Sequence, residues 1–249
     1  MKKFKHVHSK GVRTLSLKDQ APVCEILIHQ SIYDLANITK NKNVIDIGCG
    51  YGANKKIVED VGGKWTGVEP FEGGAHSVKG NAENLPFKDN TFDIAIMDAV
   101  LEHIPDVGKA FSEVSRVLKP GGLFIGYAAF MECFHEISYN HLSFKGLEHY
   151  SKINNMQLKK ISGGHRFGID YHLAVLFYPL PFKFLRPIIA FFIRILFKLK
   201  SFCMLLWLLI IKRKPYIEAI TFTKLYYKME CMRQSNGFQY IIEKQVTKF

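Results

Sequence analysis

Apolar and polar residues alternate along this chain in two rhythms. Short, largely apolar runs at Val44–Ile47, Lys64–Val68, Phe92–Met97, Leu123–Ala128, Met156–Ile161 and Gly237–Ile242 have the length of buried strands, and a briefer one is predicted at His76–Lys79. Helical spacing separates them. Ala53–Val61 reads as a helix, and Val107, Ala110, Phe111, Val114, Val117 and Leu118 mark the apolar face of another, with Pro105-Asp106 before it. Ser143 is placed to cap a helix from Phe144 to Asn154, and residues 216–230 carry one more. Pro22 opens an earlier helix with a stripe at Val23, Ile26, Leu27, Leu35 and Ile38, packed on the sheet edge or serving as a lid. Asn41-Lys42-Asn43, Lys88-Asp89-Asn90 and Lys119-Pro120-Gly121-Gly122 are the breaks. Strands alternating with helices at this spacing predict an α/β fold: a mostly parallel sheet with helices on both faces.

The first strand runs into Gly48-Cys49-Gly50-Tyr51-Gly52. Three glycines at alternate positions allow a tight turn and close approach of a ligand to the backbone, and the helix that follows turns its N–H groups toward that ligand. The second strand ends at Glu69, 21 residues after Gly48, where a carboxylate can accept two ribose hydroxyl hydrogen bonds. Asp46, an acid inside a buried strand, is expected to brace the turn or the ligand. Gly48, Glu69 and Asp98 all fall at carboxyl ends of strands, where ligands of such sheets collect.

Four ordered segments resemble the class I, Rossmann-like S-adenosylmethionine-dependent methyltransferases of type 11. They are the glycine turn, Asn81-Ala82-Glu83-Asn84-Leu85-Pro86-Phe87, Phe92 to His103, and Arg116-Val117-Leu118-Lys119-Pro120-Gly121-Gly122-Leu123-Phe124. The resemblance implies a seven-stranded Rossmann-like sheet and S-adenosylmethionine as cofactor. It implies cofactor contacts at Asp46, Gly48, Cys49, Gly50, Gly52, Glu69, Pro70, Asn81, Ala82, Glu83, Asp98 and Ala99, with the segment from Asn81 at adenine. Asn81 stands where the family usually has an acid. A looser outline through His135, Ser143 and Gly146-Leu147 resembles methyltransferases associated with surface-polysaccharide pathways.

Composition refines this picture. At 249 residues and 48% apolar, the chain suits one α/β domain with an appendage. Its net charge of +12 is concentrated: residues 171–217 have no Asp or Glu but carry Lys183, Arg186, Arg194, Lys198, Lys200, Lys212, Arg213 and Lys214. The expected organisation is an arm and helix over 1–43, the cofactor-binding core over 44–170, an inserted basic apolar helical segment over 171–215, and a last helix and strand over 216–249. Within the insertion, Ser201–Ile211 is the longest uncharged run of 184–211, too short for the ~20 residues that cross a bilayer. On a helical wheel Lys183, Arg186, Arg194 and Lys198 oppose Phe184, Ile188, Phe192, Ile195 and Leu199, with Lys200 off the basic face. Two readings stand level: an in-plane helix on an anionic membrane, or a helix whose apolar face packs on the core. The five cysteines, at 24, 49, 133, 203 and 231, are scattered without a C-x-x-C pair, against a disulfide framework or a structural zinc site. The basic N-terminus lacks a following apolar stretch, so a cytoplasmic protein is expected, peripheral at the membrane on the in-plane reading.

Methyl transfer from a sulfonium is an in-line displacement, and a hydroxyl acceptor also needs a base. Glu102, His103 and His135 are the candidates, and no metal is implied. Asp98-Ala99-Val100-Leu101 lacks the pattern of amino-group methylases on nucleic acid, and no Pro-Cys nucleophile appears. Hydroxyl or carbon acceptors on a small molecule, glycan precursor or lipid-linked compound are favoured. An RNA methyltransferase and a cofactor-binding protein without turnover are the alternatives.

Overall fold

Strand β2 (Asn43–Ile47) is an interior strand of the sheet, with its side chains buried on both sides. Val44 packs into one core cluster, with Val58, Ile94 and Ile96, while Ile45 and Ile47 pack into the other, with Val68, Phe111 and Met97. That division is the two-residue period of a strand. The computed structural model describes residues 23–28, 30–130, 137–163, 184–233 and 235–246.

Around β2 the elements are β1 (Glu25–Leu27), α1 (Leu35–Thr39), α2 (Lys55–Asp60), β3 (Lys64–Glu69), β4 (Val78–Lys79), β5 (Phe92–Asp98), a 3-10 turn at Leu101–His103, α3 (Val107–Val117), β6 (Leu118–Ala129), α4 (Phe144–Ile153), β7 (Met156–Ser162), α5 (Leu185–Leu206), α6 (Tyr216–Arg233) and β8 (Gly237–Lys244). The strands form one sheet in the order β1-β7-β8-β6-β5-β2-β3-β4. All neighbours are parallel except β8, which runs antiparallel to both β6 and β7. Among the described residues the expected seven strands are therefore eight, in a mixed sheet.

The extra strand corrects the N-terminal reading. Glu25–Leu27 is not helical; it pairs with Lys160–Ser162 at the sheet edge and buries Ile26. The helical spacing of Val23, Ile26 and Leu27 is overridden by the unpaired backbone groups of β7, which an added strand satisfies. Only Leu35–Thr39 forms a helix there, capped by the Asp34 carboxylate on the Ala36 amide at 3.1 Å. Lys119–Gly122 does end α3, but the sheet takes the chain back at once: Leu118 pairs with Phe92 and Leu123 with Ile94, with Gly121 at φ 77° in the irregularity.

Other local signals act as read. The apolar face of α3 is buried through Val107, Ala110, Phe111, Val114 and Val117, and Asp106 caps it by accepting from Lys109 N at 3.0 Å. Ser143 Oγ accepts from Gly146 N at 3.2 Å and starts α4. The polar arm, Pro22, Met131 to His135 with Cys133, and Lys183 lie outside the described residues.

Helices α5 and α6 are inserted between β7 and β8 and pack on each other. No helix among the described residues is long and apolar enough to cross a membrane. The packed-core reading of α5 fails: Ile188, Phe192 and Leu199, the wheel's apolar side, are at least half exposed. Lys200, off the basic side, is paired with Glu230 at 2.7 Å.

Candidate active site

The order of the strands reverses at β2: β3 and β4 lie on one side, β5 and β6 on the other. A crevice opens beyond the strand ends at such a point. Here it is a cleft of 660 Å³ lined by Ile47, Gly48, Glu69, Pro70, Phe71, Gly80, Asn81, Ala82, Glu83, Ala99, Val100, His103, Ile104, Pro105, Ile137 and Tyr139. Eight of the predicted residues thus meet in one place: Gly48, Glu69, Pro70, Asn81, Ala82, Glu83, Ala99 and His103.

The glycine turn is locked to the neighbouring strand. Gly48 N and Cys49 N both donate to the Val68 carbonyl, at 2.8 and 3.2 Å, and Gly50 N donates to Glu69 Oε2 at 2.9 Å. Gly48 has φ 71°, and a Cβ there would lie 2.6 Å from Val100 Cγ2. Its hydrogen is what lets the first turn and the loop after β5 close on each other.

Asp46 is a brace rather than part of the lining. It lies on the strand face opposite Ile47, 2% exposed, and its Oδ2 accepts from Trp65 Nε1 at 3.1 Å and Asn54 Nδ2 at 3.3 Å. Burial pushes its carboxyl up to about 6; those two hydrogen bonds oppose the rise, and the charges of Asp98 and Glu69 add to it. Cys49 is buried in the same cluster, its thiol pushed up to about 11 by burial. Gly50, Gly52 and Asp98 also stand outside the cleft lining. Asp98 ends β5, with partial burial raising its carboxyl.

The segment after β4 is held by its own hydrogen bonds. Asn81 Oδ1 accepts from Glu83 N at 3.0 Å, and Glu83 Oε1 accepts from Asp106 N at 2.8 Å, tying the segment to the start of α3. Arg116 on α3 donates to the carbonyls of Leu85 and Phe87, at 2.9 and 2.6 Å, and to the Asp89 carboxylate at 2.8 Å. Glu113, whose carboxyl Arg116 holds below its ordinary value, accepts from the Leu85 amide at 2.8 Å. This clamp was readable only as an i,i+3 charge pair on a helix, with nothing to say what it grips.

The candidate bases separate. Glu102 is buried, at 1% exposed, and its carbonyl accepts from Tyr139 N at 2.8 Å. His103 lines the cleft, and Nδ1 lies 2.8 Å from the Ile137 carbonyl. A carbonyl only accepts, so that contact places the ring proton on Nδ1. His135 lies outside the described residues. Sequence reasoning missed Tyr33, which comes near enough to Asp98 for that charge to add to burial in raising its hydroxyl. It also missed Tyr240, buried, which donates to the Met97 carbonyl at 3.0 Å and steadies the end of β5. Both are ordinary aromatic positions in their segments.

The donor set fits a nucleoside. A carboxylate at one strand tip, backbone at the next, and the apolar walls of Ile47, Phe71, Ala82 and Ile104 suit a ribose and a flat base.

Residues 45–126 match the family model described as a methyltransferase domain. The chain is 32% identical over 146 residues to the sterol 4-C-methyltransferase strm-1 of Caenorhabditis elegans, covering 52% of this chain and 42% of that protein. It is 32% identical over 173 residues to an uncharacterized protein of Methanocaldococcus jannaschii, covering 66% of this chain and 72% of that one. Among solved structures, a putative sarcosine dimethylglycine methyltransferase from Galdieria sulphuraria shares the fold, with a TM-score of 0.51 and 17% identity over 85% of this chain and 82% of that one. The chain spans 42–58% of the length of the first curated relatives it matches.

Proposed function

We propose that the chain is a class I S-adenosylmethionine-dependent methyltransferase and that it methylates a hydroxyl or carbon of a small lipid-linked or glycan-precursor acceptor at a membrane surface. S-adenosylmethionine, the cofactor of the family, supplies an electrophilic methyl group on a charged sulfur.

The observation that carries the reading is the contact of Glu69 with Gly50 N beside the cleft. It holds the turn in register with a carboxylate at the tip of β3, which supports a ribose-binding role for that carboxylate. We assign ribose binding to Glu69, backbone contact to the turn from Gly48 to Gly52, and the base wall to Pro70, Asn81, Ala82 and Glu83 with Ala99. Asp46 and Cys49 act from beneath, and Asp98 at the rim. His103, with Nδ1 given to a carbonyl, closes the cleft, and Glu102 supports the 3-10 turn that carries it. The chain's main contribution to rate is alignment of the acceptor with the methyl group. The proton of a hydroxyl acceptor is assigned to His135.

The acceptor class is supported by the exposed apolar face of α5 between cations, which suits a lipid-bearing substrate at the cytoplasmic face of a membrane. An RNA methyltransferase draws less support, since the same face offers apolar surface where phosphates need charge. The association with polysaccharide pathways rests on the outline through His135 alone. The test is transfer of labelled methyl from the cofactor into lipid and glycan extracts. His135→Gln should cut turnover at least tenfold and leave cofactor affinity unchanged. Label entering RNA instead, or no acceptor at all, would overturn the proposal.

A further inference from the structure

Helix α5 is built inside out. A helix facing water turns its apolar side chains inward and its polar ones outward. In α5 the residues most deeply buried are small: Ala190 and Ser201, at 1% and 6% exposed. The helix it packs on, α6, likewise buries Ala219 and Thr223. The large apolar side chains Ile188, Phe191, Phe192, Leu196, Leu199 and Phe202 each leave 50–60% of their surface exposed. No described side chain of α5 belongs to either core cluster; α6 makes the link, through Met229 with Leu225 and Met232.

Cations surround this face. Arg194 and Lys198 are exposed beside it, and the turn that leaves the helix carries Lys212, Arg213 and Lys214, all exposed. Lys212 Nζ lies 5.1 Å from the centre of the Trp207 ring, an aromatic at the polar edge of an apolar surface. No acid occurs between residues 171 and 217. A contiguous exposed apolar face of this kind marks an interaction surface. A second copy seated on it would bring like charges together, and the neighbouring acids Glu218 and Glu230 are already paired within the chain, with Lys214 at 2.9 Å and Lys200 at 2.7 Å.

We propose that α5 and the turn after it lie in the plane of an anionic phospholipid leaflet, with the exposed apolar face among the acyl chains and Lys212, Arg213 and Lys214 on the headgroup phosphates. Alignment in the plane follows from a helix too charged to cross and apolar along one whole side. The inference rests on the membrane-surface reading above, and it names the surface and the element that meets it. Ala190 and Ser201 then have a reason to be small: α6 fits close against α5, and the bulky side chains are left for lipid.

The test uses the full chain and vesicles of phosphatidylcholine, alone or with about a third phosphatidylglycerol. Flotation is expected with the anionic vesicles and not the neutral ones, weakening as salt rises. Replacing Lys212, Arg213 and Lys214 by Ser should weaken binding about fivefold per cation. Phe192→Ser with Leu199→Ser should weaken it at least tenfold. Both side chains are exposed, so these changes leave the fold in place, and unchanged cofactor affinity by calorimetry verifies that. No flotation, flotation indifferent to these variants, or a concentration-dependent dimer abolished by Phe192→Ser with Leu199→Ser would each overturn the proposal. Flotation without cofactor binding would uphold it and sink the enzymatic reading instead.

Discussion

The Gly50 amide donates to the Glu69 carboxylate at 2.9 Å, joining the turn after β2 to the tip of β3. One acid therefore serves the fold as well as the proposed ligand. Glu69→Gln keeps an oxygen for Gly50 N but removes the charge; its melting temperature should stay within a degree or two of wild type. Glu69→Ala leaves that amide without its acceptor and should cost about 1 kcal/mol. Thermal unfolding of the two variants separates the roles.

Gly48 meets Val100 where no Cβ fits, and its φ of 71° is itself unfavourable for any other residue. Gly48→Ala is expected to destabilise the chain by about 2–3 kcal/mol and to weaken cofactor binding at least tenfold. Because the overlap is with the Val100 methyls, adding Val100→Ala should return part of the stability. Denaturant unfolding of the single and double variants measures both effects.

Asp46 gives a pH signature. Its carboxyl stands at about 6 in the folded chain against an ordinary 3.8. Between those values the folded state keeps a proton that the unfolded chain has released. This residue's contribution to stability therefore falls as pH rises through that window. Asp46→Asn keeps an acceptor for the Trp65 indole without the buried charge. It should flatten that part of the stability profile and raise stability at neutral pH by about 1–3 kcal/mol. Urea titrations from pH 4 to about 7 test it.

Arg116 grips the segment proposed to face adenine through two carbonyls and the Asp89 carboxylate. Arg116→Ala should cost about 2 kcal/mol and weaken cofactor binding several-fold. Arg116→Lys should recover little, because one ammonium cannot reproduce the forked geometry. Calorimetry and melting curves on both variants decide this.

Much of the fold was legible because the parallel strands carry apolar residues on both faces, α3 carries a clear apolar face, and Ser143 caps α4. The N-terminal strand was not. Val23, Ile26 and Leu27 satisfy a helical stripe as well as a strand, and only the open edge of β7 decides between them. The cleft was legible where chemistry follows from backbone need, as at Gly48 and Glu69. For Asp46 the sequence left bracing the turn and bracing the ligand open, and its strand face sends it toward Trp65 and Asn54, away from the cleft. Arg116 and Tyr240 act on backbone carbonyls distant in sequence, and no local pattern reveals such a partner. In α5 the wheel sets Ile188, Phe192 and Leu199 on one face, and they are exposed; which face meets the protein depends on the small residues of α6.

The central claim is that the cleft beyond β2 and β3 holds the adenosyl group of the cofactor. Titrating S-adenosylhomocysteine into the wild-type chain and into Glu69→Ala by calorimetry addresses it directly. One site is predicted, with a dissociation constant on the order of 1–100 µM, weakened at least tenfold in the variant. No heat of binding to the folded wild-type chain, or equal affinity in the two proteins, would contradict it.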